Sequence, residues 1–382
     1  MGNVPHLRFP EFSGEWKKCK LGDLCNVLMC KRILVSQTNT EDGVPFYKIG
    51  TIGSTPDAYI SKELFDDYKV KYNYPRKGEV MITCAGTVGK CVVYDGEDAY
   101  FQDSNIVWID NPTQYISNGF LFHLLSKVDW RKLNSTTIIR IYNDDLRNLK
   151  MSYPRKEEQQ KISHLLSLLD ERIATQNKII EDLKKLKSAI IEIEYSPKDS
   201  YHSHIGGAIV QISKRNKDNH LCNVLSVSNR QGFIKQSEQF EDRNVASDDT
   251  SNYKIVEKND FAYNPARINV GSIARLTKFE TGIVSPMYIC FRTKDCLLPE
   301  YLELFFESRN FFYHIQKRLE GSVRLCLSYE ELCNIPIVIP SIEKQKQVDL
   351  HLSKLAQKID LEMKILQFVQ QQKTYLLHQM FI

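Results

Sequence analysis

The sequence lacks the segments that would place a protein in or across a membrane. It contains no run of about 18 apolar residues, the length that a spanning helix needs. Residues 1–8 contain no apolar signal core. Gly2 is not followed by Ser or Thr at the spacing of a myristoylation motif. These absences predict a cytoplasmic protein without a membrane span.

A strong charge bias is also missing. The 382 residues carry a formal net charge of +4, and 42% of them are hydrophobic and 26% charged. This composition is typical of globular domains, and the length predicts about two or three of them. The mild positive charge permits nucleic-acid binding without requiring it, because the clustering of cations matters more than their sum.

Patterns for metals and disulfides are absent although the sequence contains ten cysteines. No C-x-x-C occurs, and close pairs such as Cys84 and Cys91 lack the spacing of zinc ligands. We therefore interpret the cysteines as reduced thiols, most of them buried or half-buried. His202 and His204 have no cysteine near them, so no metal site is predicted.

Catalytic motifs are incomplete. Gly86-Thr87-Val88-Gly89-Lys90 resembles the tail of a phosphate-binding P-loop, but Cys84 and Cys91 stand where that loop needs Gly and Ser or Thr. A turn between strands, with backbone amides that suit a phosphate, is the better interpretation. Asn264-Pro265-Ala266-Arg267 lacks the second Pro and the aromatic residue of the amino-methyltransferase motif. Since no Ser-His-Asp or Cys-His arrangement is recognisable either, the chain is predicted not to be an enzyme.

What the sequence does contain is two long helical patterns. The first runs from Pro154 to Tyr195, and the second follows Pro340 to the C-terminus. Apolar residues recur at steps of three and four, so each helix has an apolar face that needs a partner helix. The predicted pairing residues are Ile162, Leu165, Leu169, Ile179, Leu183, Leu186, Ile190 and Ile193 in the first helix and Val348, Leu352, Leu355, Ile359, Leu366, Val369, Leu376 and Met380 in the second. Arg172 and Gln176 interrupt the first apolar face.

An internal repeat relates the two halves of the chain. One constant offset places Pro154 on Pro340, Gln159 on Gln345 and, at the helix ends, Tyr195 on Phe381. The segments before the helices match poorly, yet both contain short strand patterns bounded by Gly and Pro. The predicted fold is α+β, with two similar mixed α/β domains separated by two long helices that pair as an antiparallel coiled coil. The predicted domain bounds are 1–153, 154–195, 196–339 and 340–382.

This organisation leaves several function classes open. Two similar but non-identical globules at a fixed separation suit a linear, asymmetric partner, and double-stranded DNA is the obvious candidate. A protein-interaction scaffold without a DNA role is the alternative, whereas a self-contained methyltransferase or nuclease would need a cofactor loop that the sequence lacks. Arg and Lys suit phosphates and guanine edges, and Asn suits adenine. The candidate DNA-binding residues are Lys48, Lys71, Arg76, Lys77, Thr87, Lys90, Arg140, Lys214, Arg215, Asn264, Arg267, Asn269, Arg275 and Arg324.

Several short motifs occur in a specific order along the chain. They are Leu7-Arg8-Phe9-Pro10-Glu11-Phe12, Glu15-Trp16, Leu21-Gly22-Asp23-Leu24, the Pro-x-x-Glu-x-Gln openings at Pro154 and Pro340, Tyr263-Asn264-Pro265-Ala266-Arg267-Ile268-Asn269-Val270-Gly271-Ser272-Ile273, and Leu376-Leu377-His378-Gln379-Met380-Phe381. Together they resemble the specificity (S) subunit of type I restriction-modification systems, over the whole length of the chain.

The resemblance implies a specific division of labour. Each globule would be a target recognition domain that reads one half of a bipartite DNA sequence, and the helices would set the gap between the halves. The helices would also dock two modification subunits, which use S-adenosylmethionine to methylate adenine. Restriction subunits would join for ATP-dependent translocation and cleavage. The chain itself would then bind no cofactor, since S-adenosylmethionine, ATP and Mg belong to the partner subunits, and the family fixes no base-reading position.

Overall fold

The computed structural model describes residues 2–133, 140–196, 203–229, 231–239, 249–321 and 325–382. Its contacts divide the chain into two compact units. The first unit comprises Met1–Asn177 and Lys364–Ile382, and the second comprises Lys178–Met363. The boundary therefore falls within both long helices and not at their ends, so each unit contains one globule and part of each helix.

The first globule is built from short strands and helices that lead into the central helix. Its elements are β1 (Lys17–Lys20), β2 (Asn26–Leu28), β3 (Thr38–Asn39), β4 (Val44–Tyr47), β5 (Tyr59–Ile60), α1 (Lys62–Lys71), β6 (Val80–Thr83), β7 (Cys91–Val93), β8 (Tyr100–Phe101), β9 (Ile106–Asp110), α2 (Asn118–Lys127), α3 (Trp130–Leu133), α4 (Asn143–Arg147) and β10 (Lys150–Tyr153). The central helix α5 (Lys156–Glu194) follows.

Two four-stranded sheets form the body of the first globule. One sheet has the order β2-β9-β6-β7, and all its strands are antiparallel. The other has the order β3-β5-β4-β8, in which β4 and β8 are parallel. Strand β6 reads Val-Met-Ile-Thr and is buried at every position, because the two sheet faces each pack on an apolar cluster. A separate ribbon, β1 with β10, brings the start and the end of the globule together.

The second globule repeats this plan. Its elements are α6 (Ile205–Ala208), β11 (Ile209–Ile212), β12 (Val224–Ser228), β13 (Gly232–Lys235), α7 (Gln236–Gln239), β14 (Lys254–Glu257), β15 (Phe261–Tyr263), β16 (Ile273–Arg275), β17 (Thr281–Val284), β18 (Ile289–Thr293), α8 (Pro299–Phe305), α9 (Arg309–Arg318) and α10 (Tyr329–Cys333). The terminal helix α11 (Ile342–Met380) follows. The sheet orders are β11-β18-β15-β16 and β13-β12-β17-β14.

The two globules share one sheet and differ in the other. The order β11-β18-β15-β16 reproduces β2-β9-β6-β7 strand for strand. In the other sheet, both globules contain one parallel pair, β4 with β8 and β12 with β17. The fourth strand lies on opposite edges, because β3 extends the sheet beyond β5 whereas β14 extends it beyond β17. The predicted α+β class, with two similar mixed domains and two long helices, is confirmed.

A buried glutamine fixes the start of each long helix. The Gln159 side chain accepts from the Ser117 amide at 2.7 Å and donates to the carbonyls of Tyr115 and Pro154. Gln345 makes the equivalent three hydrogen bonds in the second unit, to the Leu298 amide and to the carbonyls of Cys296 and Pro340. These contacts explain why the Pro-x-x-Glu-x-Gln opening is repeated, since each Gln ties a helix start to the loop before α2 or α8.

Each long helix ends with a buried aromatic ring against a globule helix. Tyr195 packs on Tyr301 and Phe305 of α8, and its hydroxyl donates to the Tyr301 carbonyl at 2.7 Å. Phe381 packs on Phe120 of α2 with a centroid distance of 4.8 Å. The predicted match of Tyr195 with Phe381 is thus a match of structural roles.

Within the first unit, the two long helices run antiparallel. Phe381 lies beside Trp16, whose indole donates to Glu158 near the start of α5 at 3.3 Å. Lys373 precedes Phe381 in the terminal helix, and it pairs with Asp170, which follows Glu158 in α5. In the second unit, Lys344 near the start of α11 lies 3.7 Å from Glu194 at the end of α5.

The pairing face follows the predicted residues in the terminal helix but shifts in the central helix. Every predicted residue of α11 is buried or half-buried. In the second half of α5, however, Ile179, Leu186 and Ile193 are exposed. Ile180 and Ile191, which directly follow the predicted residues Ile179 and Ile190, are buried instead. The prediction assumed a strict heptad, and an α-helix drifts by about 20° per heptad from that repeat.

Neither α5 nor α11, nor any other helix in the part of the chain that the structure describes, is long and apolar enough to cross a bilayer.

Candidate nucleic-acid interface

The strand directions in the first globule bring several connections together at one end. Strands β4, β6 and β8 end there, while β7 and β9 begin there. The first loop cluster comprises residues 29–34, 48–53, 84–90, 102–105 and 140–142. Its loops are joined by backbone hydrogen bonds, such as those from Gln102 to Tyr47 and from Ile141 to Cys84. Loops held by a rigid sheet are a common location for binding residues.

Cations of the first loop cluster already have partners within the globule. Arg32 donates to Asp103 at 3.0 Å, and Lys48 lies 2.9 Å from Asp57. The Arg140 guanidinium donates to the Ser104 carbonyl at 3.1 Å. Arg32 and Lys48 are 67% and 39% exposed, so these pairs hold the two side chains in place while leaving their charge accessible to a larger anion.

The connection from Gly86 to Lys90 is a turn between strands, as predicted. It joins β6 to the antiparallel β7, whereas a P-loop leads into a helix whose N-terminus binds phosphate. Gly86 and Gly89 have φ values of 65° and 83°, which suit glycine. The Lys90 ammonium donates to the Ile52 carbonyl at 2.5 Å. Thr87 is exposed at the tip, and its carbonyl accepts from the Thr83 hydroxyl.

The second globule has a corresponding set of loops. Strands β12, β15 and β17 end, and β16 and β18 begin, at one end of the two sheets. The second loop cluster comprises residues 213–217, 228–229, 264–272, 285–288 and 325–327. The Leu327 amide donates to the Pro265 carbonyl at 3.1 Å, which is the counterpart of the bond from Ile141 to Cys84. The two clusters therefore occupy the same place on a shared scaffold.

A polar cleft of about 320 Å³ opens in the second loop cluster. Asn264 and Arg267 line it together with Gln236, Ser272 and Tyr288. The Asn264 side-chain oxygen accepts from the Ala266 amide at 3.1 Å, so it holds the turn that presents Arg267. Among the residues that the structure describes, the Arg267 guanidinium makes neither an ion pair nor a hydrogen bond.

Other candidates of the second globule lie at the same end. Lys214 and Arg215 follow β11, and Arg215 donates to the Asn252 side chain at 2.9 Å. Both are exposed. Asn269 is exposed in the loop from Asn264 to Ser272. Together with Asn264 and Arg267, these residues form one polar, cationic surface.

The remaining candidates are not part of either loop cluster. Arg76 and Lys77 precede β6, at the opposite end of the sheet, and Arg76 lies 3.9 Å from Asp110. Lys71 pairs with Asp67 one turn earlier on α1. Arg275 ends β16 and pairs with Glu303 at 2.9 Å and with Glu300.

Arg275 has a structural role in this arrangement, and its assignment as a DNA-binding residue stays a prediction. Only 12% of its side chain is exposed, and two carboxylates of α8 already neutralise its charge. Arg324 lies outside the described residues.

Two polar residues of these surfaces were not among the sequence candidates. Arg32 reaches Asp103 in the first loop cluster, and Gln236 lines the cleft of the second. The Lys31-Arg32 pair after a short strand was the available signal for Arg32. Nothing in the sequence around Gln236 points to the cleft, because its place depends on the pairing of β12 with both β13 and β17.

The buried thiols are placed for packing and not for nucleophilic chemistry. All ten cysteines are free, and only Cys222 and Cys296 are exposed. Burial raises the pKa of Cys84, and likewise that of Cys30 and Cys290, to about 12. These three thiols therefore stay protonated at neutral pH, and the thiolate is the reactive form.

The fold is shared with specificity subunits over the length of the chain. The S subunit of a type I restriction-modification system from M. genitalium superposes with a TM-score of 0.61 at 16% identity, covering 99% of both chains. A chain from a structure that concerns complex assembly and conformational transition of the type I R-M system gives a TM-score of 0.54 at 14% identity over 98% of both chains. These likenesses show that the fold, with two globules and two long helices, is shared with solved chains of type I restriction-modification systems.

Residues 13–185 match the family model of the type I restriction modification DNA specificity domain. A type I restriction enzyme specificity subunit of Haemophilus influenzae is 49% identical over 167 residues, which are 44% of this chain and 43% of that protein. The MjaX specificity subunit of Methanocaldococcus jannaschii is 24% identical over 204 residues, or 50% of this chain and 48% of that protein. The chain thus spans about half the length of the curated relatives it matches. The resemblance predicted from the sequence is confirmed.

Proposed function

We propose that the chain is the DNA-recognition subunit of a type I restriction-modification complex, with each globule reading one half of a bipartite target. One observation carries the proposal. The two loop clusters lie at equivalent ends of two similar globules, and the loops themselves differ. Phosphate contacts position a protein on DNA, and contacts to base edges give sequence specificity. A shared scaffold with divergent polar loops supplies both functions at two sites.

The proposed role is non-catalytic. The chain would provide binding and orientation, while modification subunits supply S-adenosylmethionine-dependent methylation of adenine and restriction subunits supply ATP- and Mg-dependent translocation and cleavage. This division is supported by the incomplete motifs at Gly86–Lys90 and Asn264–Arg267, which form turns that hold loops in place.

Exposed apolar side chains on the long helices are the proposed docking surface for modification subunits. In the second unit, Ile179, Leu186 and Ile193 recur at heptad spacing on α5 and are 39%, 50% and 73% exposed. In the first unit, Phe368 and Tyr375 on α11 have the same spacing and are 69% and 60% exposed. A heptad-spaced apolar row on the outside of a helix suits a further helix that packs against it.

Methylation mapping with base resolution tests the proposal directly. The chain is expressed with a modification subunit in a host that supplies S-adenosylmethionine, and methylated adenines are located across the genome. The expected result is one bipartite motif with an unread gap. If both proteins are present and active and no such motif appears, the proposal is wrong.

A protein scaffold without a DNA role is the second candidate, and the apolar rows on the helices are the observation that favours it. Salt dependence separates the two candidates. A complex that contacts phosphates loses DNA affinity steeply with rising salt, because each neutralised phosphate releases bound counterions. A scaffold would give no specific affinity and no common slope for target and non-target DNA.

A further inference from the structure

We infer that the polar cleft of the second loop cluster is a base-reading site, in which Arg267 and Gln236 determine specificity for one half of the target. The inference rests on the proposed function, since it names the ligand of that surface as the major-groove edge of a base. Arg267 would recognise guanine, and Gln236 would recognise an adjacent base that carries an amino group.

The first argument is the presence of unused hydrogen-bonding groups within one cleft. The Gln236 Oε1 atom is buried and has no hydrogen-bond partner among the described residues. A buried polar atom without a partner costs about 1–3 kcal/mol, so such atoms are uncommon in folded proteins unless a ligand uses them. Arg267 on the facing loop adds an unpaired cation to the same cleft.

The second argument is that the walls of the cleft are fixed by their own hydrogen bonds. The Ser272 hydroxyl donates to the Val227 carbonyl at 3.1 Å, and the Val227 amide donates to the Tyr288 hydroxyl at 3.3 Å. Ser272 and Tyr288 are both buried. The unpaired groups of Gln236 and Arg267 therefore lie within a rigid polar frame, which favours selective binding over adaptable contact.

The third argument is the chemistry of the two side chains. A guanidinium donates two parallel hydrogen bonds to the O6 and N7 atoms of guanine, which is the commonest specific contact in the major groove. A glutamine oxygen accepts from the amino group of adenine or cytosine. The cleft volume of about 320 Å³ is at the lower end of the range for small-ligand sites, so a single base edge is a suitable occupant.

The cations of the first loop cluster support the inference by contrast, whereas its Gln102 Oε1 atom is buried without a partner among the described residues, as Gln236 Oε1 is. There, Arg140 is bound to the Ser104 carbonyl, Lys90 to the Ile52 carbonyl, and Arg32 to Asp103. Cations held in this way suit the phosphate backbone. An arginine and an amide oxygen that line the same cleft without partners keep two donors and an acceptor available for a base.

The test uses the complete chain assembled with its modification subunit. Three variants are compared with the wild type: Arg267→Ala, Gln236→Leu and the control Lys258→Ala. Lys258 is exposed, pairs with Glu280, and lies at the opposite end of β15 from the cleft. Gln236→Leu removes an acceptor that has no partner among the described residues, so it is not expected to impair folding. Retained assembly with the modification subunit checks that each variant is folded.

We expect Arg267→Ala and Gln236→Leu each to relax base choice at one position, and both positions to fall in the same half of the methylated motif. The other half and the gap stay unchanged. Affinity for the wild-type site falls by about 10-fold or more for each variant, the cost of a lost base contact. Lys258→Ala keeps the wild-type motif.

Different failures have different meanings. If the wild type methylates a bipartite motif and both cleft variants retain that motif and its affinity, the cleft does not read bases and only the inference is overturned. Equal loss of affinity for all sequences, with a shallower salt slope, would also overturn it, because that is the behaviour of a phosphate contact. If the wild-type complex produces no bipartite motif, the proposed function fails, and the inference fails with it.

Discussion

The two loop clusters occupy the same place on the same scaffold and differ in how their polar groups are used. In the first cluster, Arg32, Lys90 and Arg140 are bound to groups of their own globule. In the second cluster, Arg267 has no partner among the described residues, and it lines one cleft with Gln236, whose buried oxygen has none either. The Gln102 oxygen of the first cluster is also buried without a partner among these residues, so the difference concerns the cations. The difference indicates that a duplicated scaffold can carry two unlike polar surfaces, provided that changes stay within the loops.

The scaffold itself has changed much less. Gln159 and Gln345 make the same three hydrogen bonds, and Tyr195 and Phe381 end the long helices against equivalent globule helices. These side chains are buried, so a substitution there leaves a cavity or an unpaired polar group. Exposed loop residues such as Thr87 and Asn269 carry no such constraint.

The largest expected effect comes from a matched pair of glycines. Gly89 and Gly271 both have positive φ, at 83° and 86°, in the connections after β6 and β15. A Cβ at Gly89 would overlap the indole of Trp130, whereas a Cβ at Gly271 would be 3.8 Å from its nearest neighbour, Asn229. We expect Gly89→Ala to destabilise the first unit by about 2–5 kcal/mol, from overpacking plus the left-handed backbone. Gly271→Ala should cost about 1–2 kcal/mol, from the backbone alone.

Urea unfolding checks this difference. The three tryptophans, Trp16, Trp108 and Trp130, all lie in the first unit, so their fluorescence reports on that unit only. Gly271→Ala is followed by circular dichroism and should leave the fluorescence transition in place. Equal destabilisation by the two substitutions would show that Trp130 can move aside, and that the first turn is less constrained than its packing indicates.

The sequence predicted the scaffold better than the loops, for physical reasons. Long periodic helices are recognisable because one face must be buried, and α5 at Lys156–Glu194 and α11 at Ile342–Met380 lie close to their predicted bounds. The shifted face at Ile180 shows the limit of that pattern, since a strict heptad differs from the true helical repeat.

Candidate site residues were predicted by chemical type, which does not reveal the end of the sheet at which they lie. Lys48 and Arg267 follow strands that end at the loop clusters, whereas Arg76 and Arg275 lie at the opposite end. Only strand order and direction separate these groups. The same limitation hid Gln236, whose cleft is formed by loops far apart in the chain.

The next prediction tests whether the two helix starts are equivalent. Gln159→Ala and Gln345→Ala should each cost about 3 kcal/mol, because each leaves buried backbone groups without a partner. The exposed neighbour Gln160 provides a control, and Gln160→Ala should have little effect. Tryptophan fluorescence measures the loss for Gln159→Ala, and circular dichroism measures it for Gln345→Ala. Losses that differ by more than about 1.5 kcal/mol would mean that the shared hydrogen bonds do not have a shared energetic role.

Acid should destabilise the first unit through a group that the second unit lacks, because α2 has a buried histidine where α8 has a buried leucine. His123 stands three residues after Phe120, and the buried Leu304 stands three residues after Tyr301. Burial lowers the pKa of His123 to about 4, with Lys373 adding to the shift and Asp170 opposing it. Below pH 6.5 the unfolded chain therefore takes up a proton that the folded chain resists. The contribution of neutral His123 to the free energy of unfolding is fully present above that pH. It is lost progressively down to about pH 4, by about 3 kcal/mol in total.

Replacing His123 with a neutral side chain of similar shape isolates this contribution. The His123→Gln variant should lose stability less steeply than the wild type between pH 6.5 and pH 4.5, as measured by tryptophan fluorescence in urea. At pH 7.5 the pH-linked difference vanishes, which makes that condition the control. Parallel stability curves for wild type and variant across this range would exclude His123 as the source of acid sensitivity.

The smallest expected effects concern DNA affinity, and they compare the loop clusters directly. Arg32→Ala removes a cation that already pairs with Asp103 and is 67% exposed, so the affinity of the assembled complex should fall only about 2-fold and equally for all sequences. Asp103→Asn releases the same cation and should raise non-specific affinity by a similar factor. Titration of target and non-target DNA at two salt concentrations measures both changes. Arg32→Ala could instead weaken target binding selectively by 10-fold or more, in the manner of a lost base contact. That result would mean that an internally paired arginine can also read bases. The difference between the two clusters would then lie in the identity of the bases that they read and not in the way that they bind DNA.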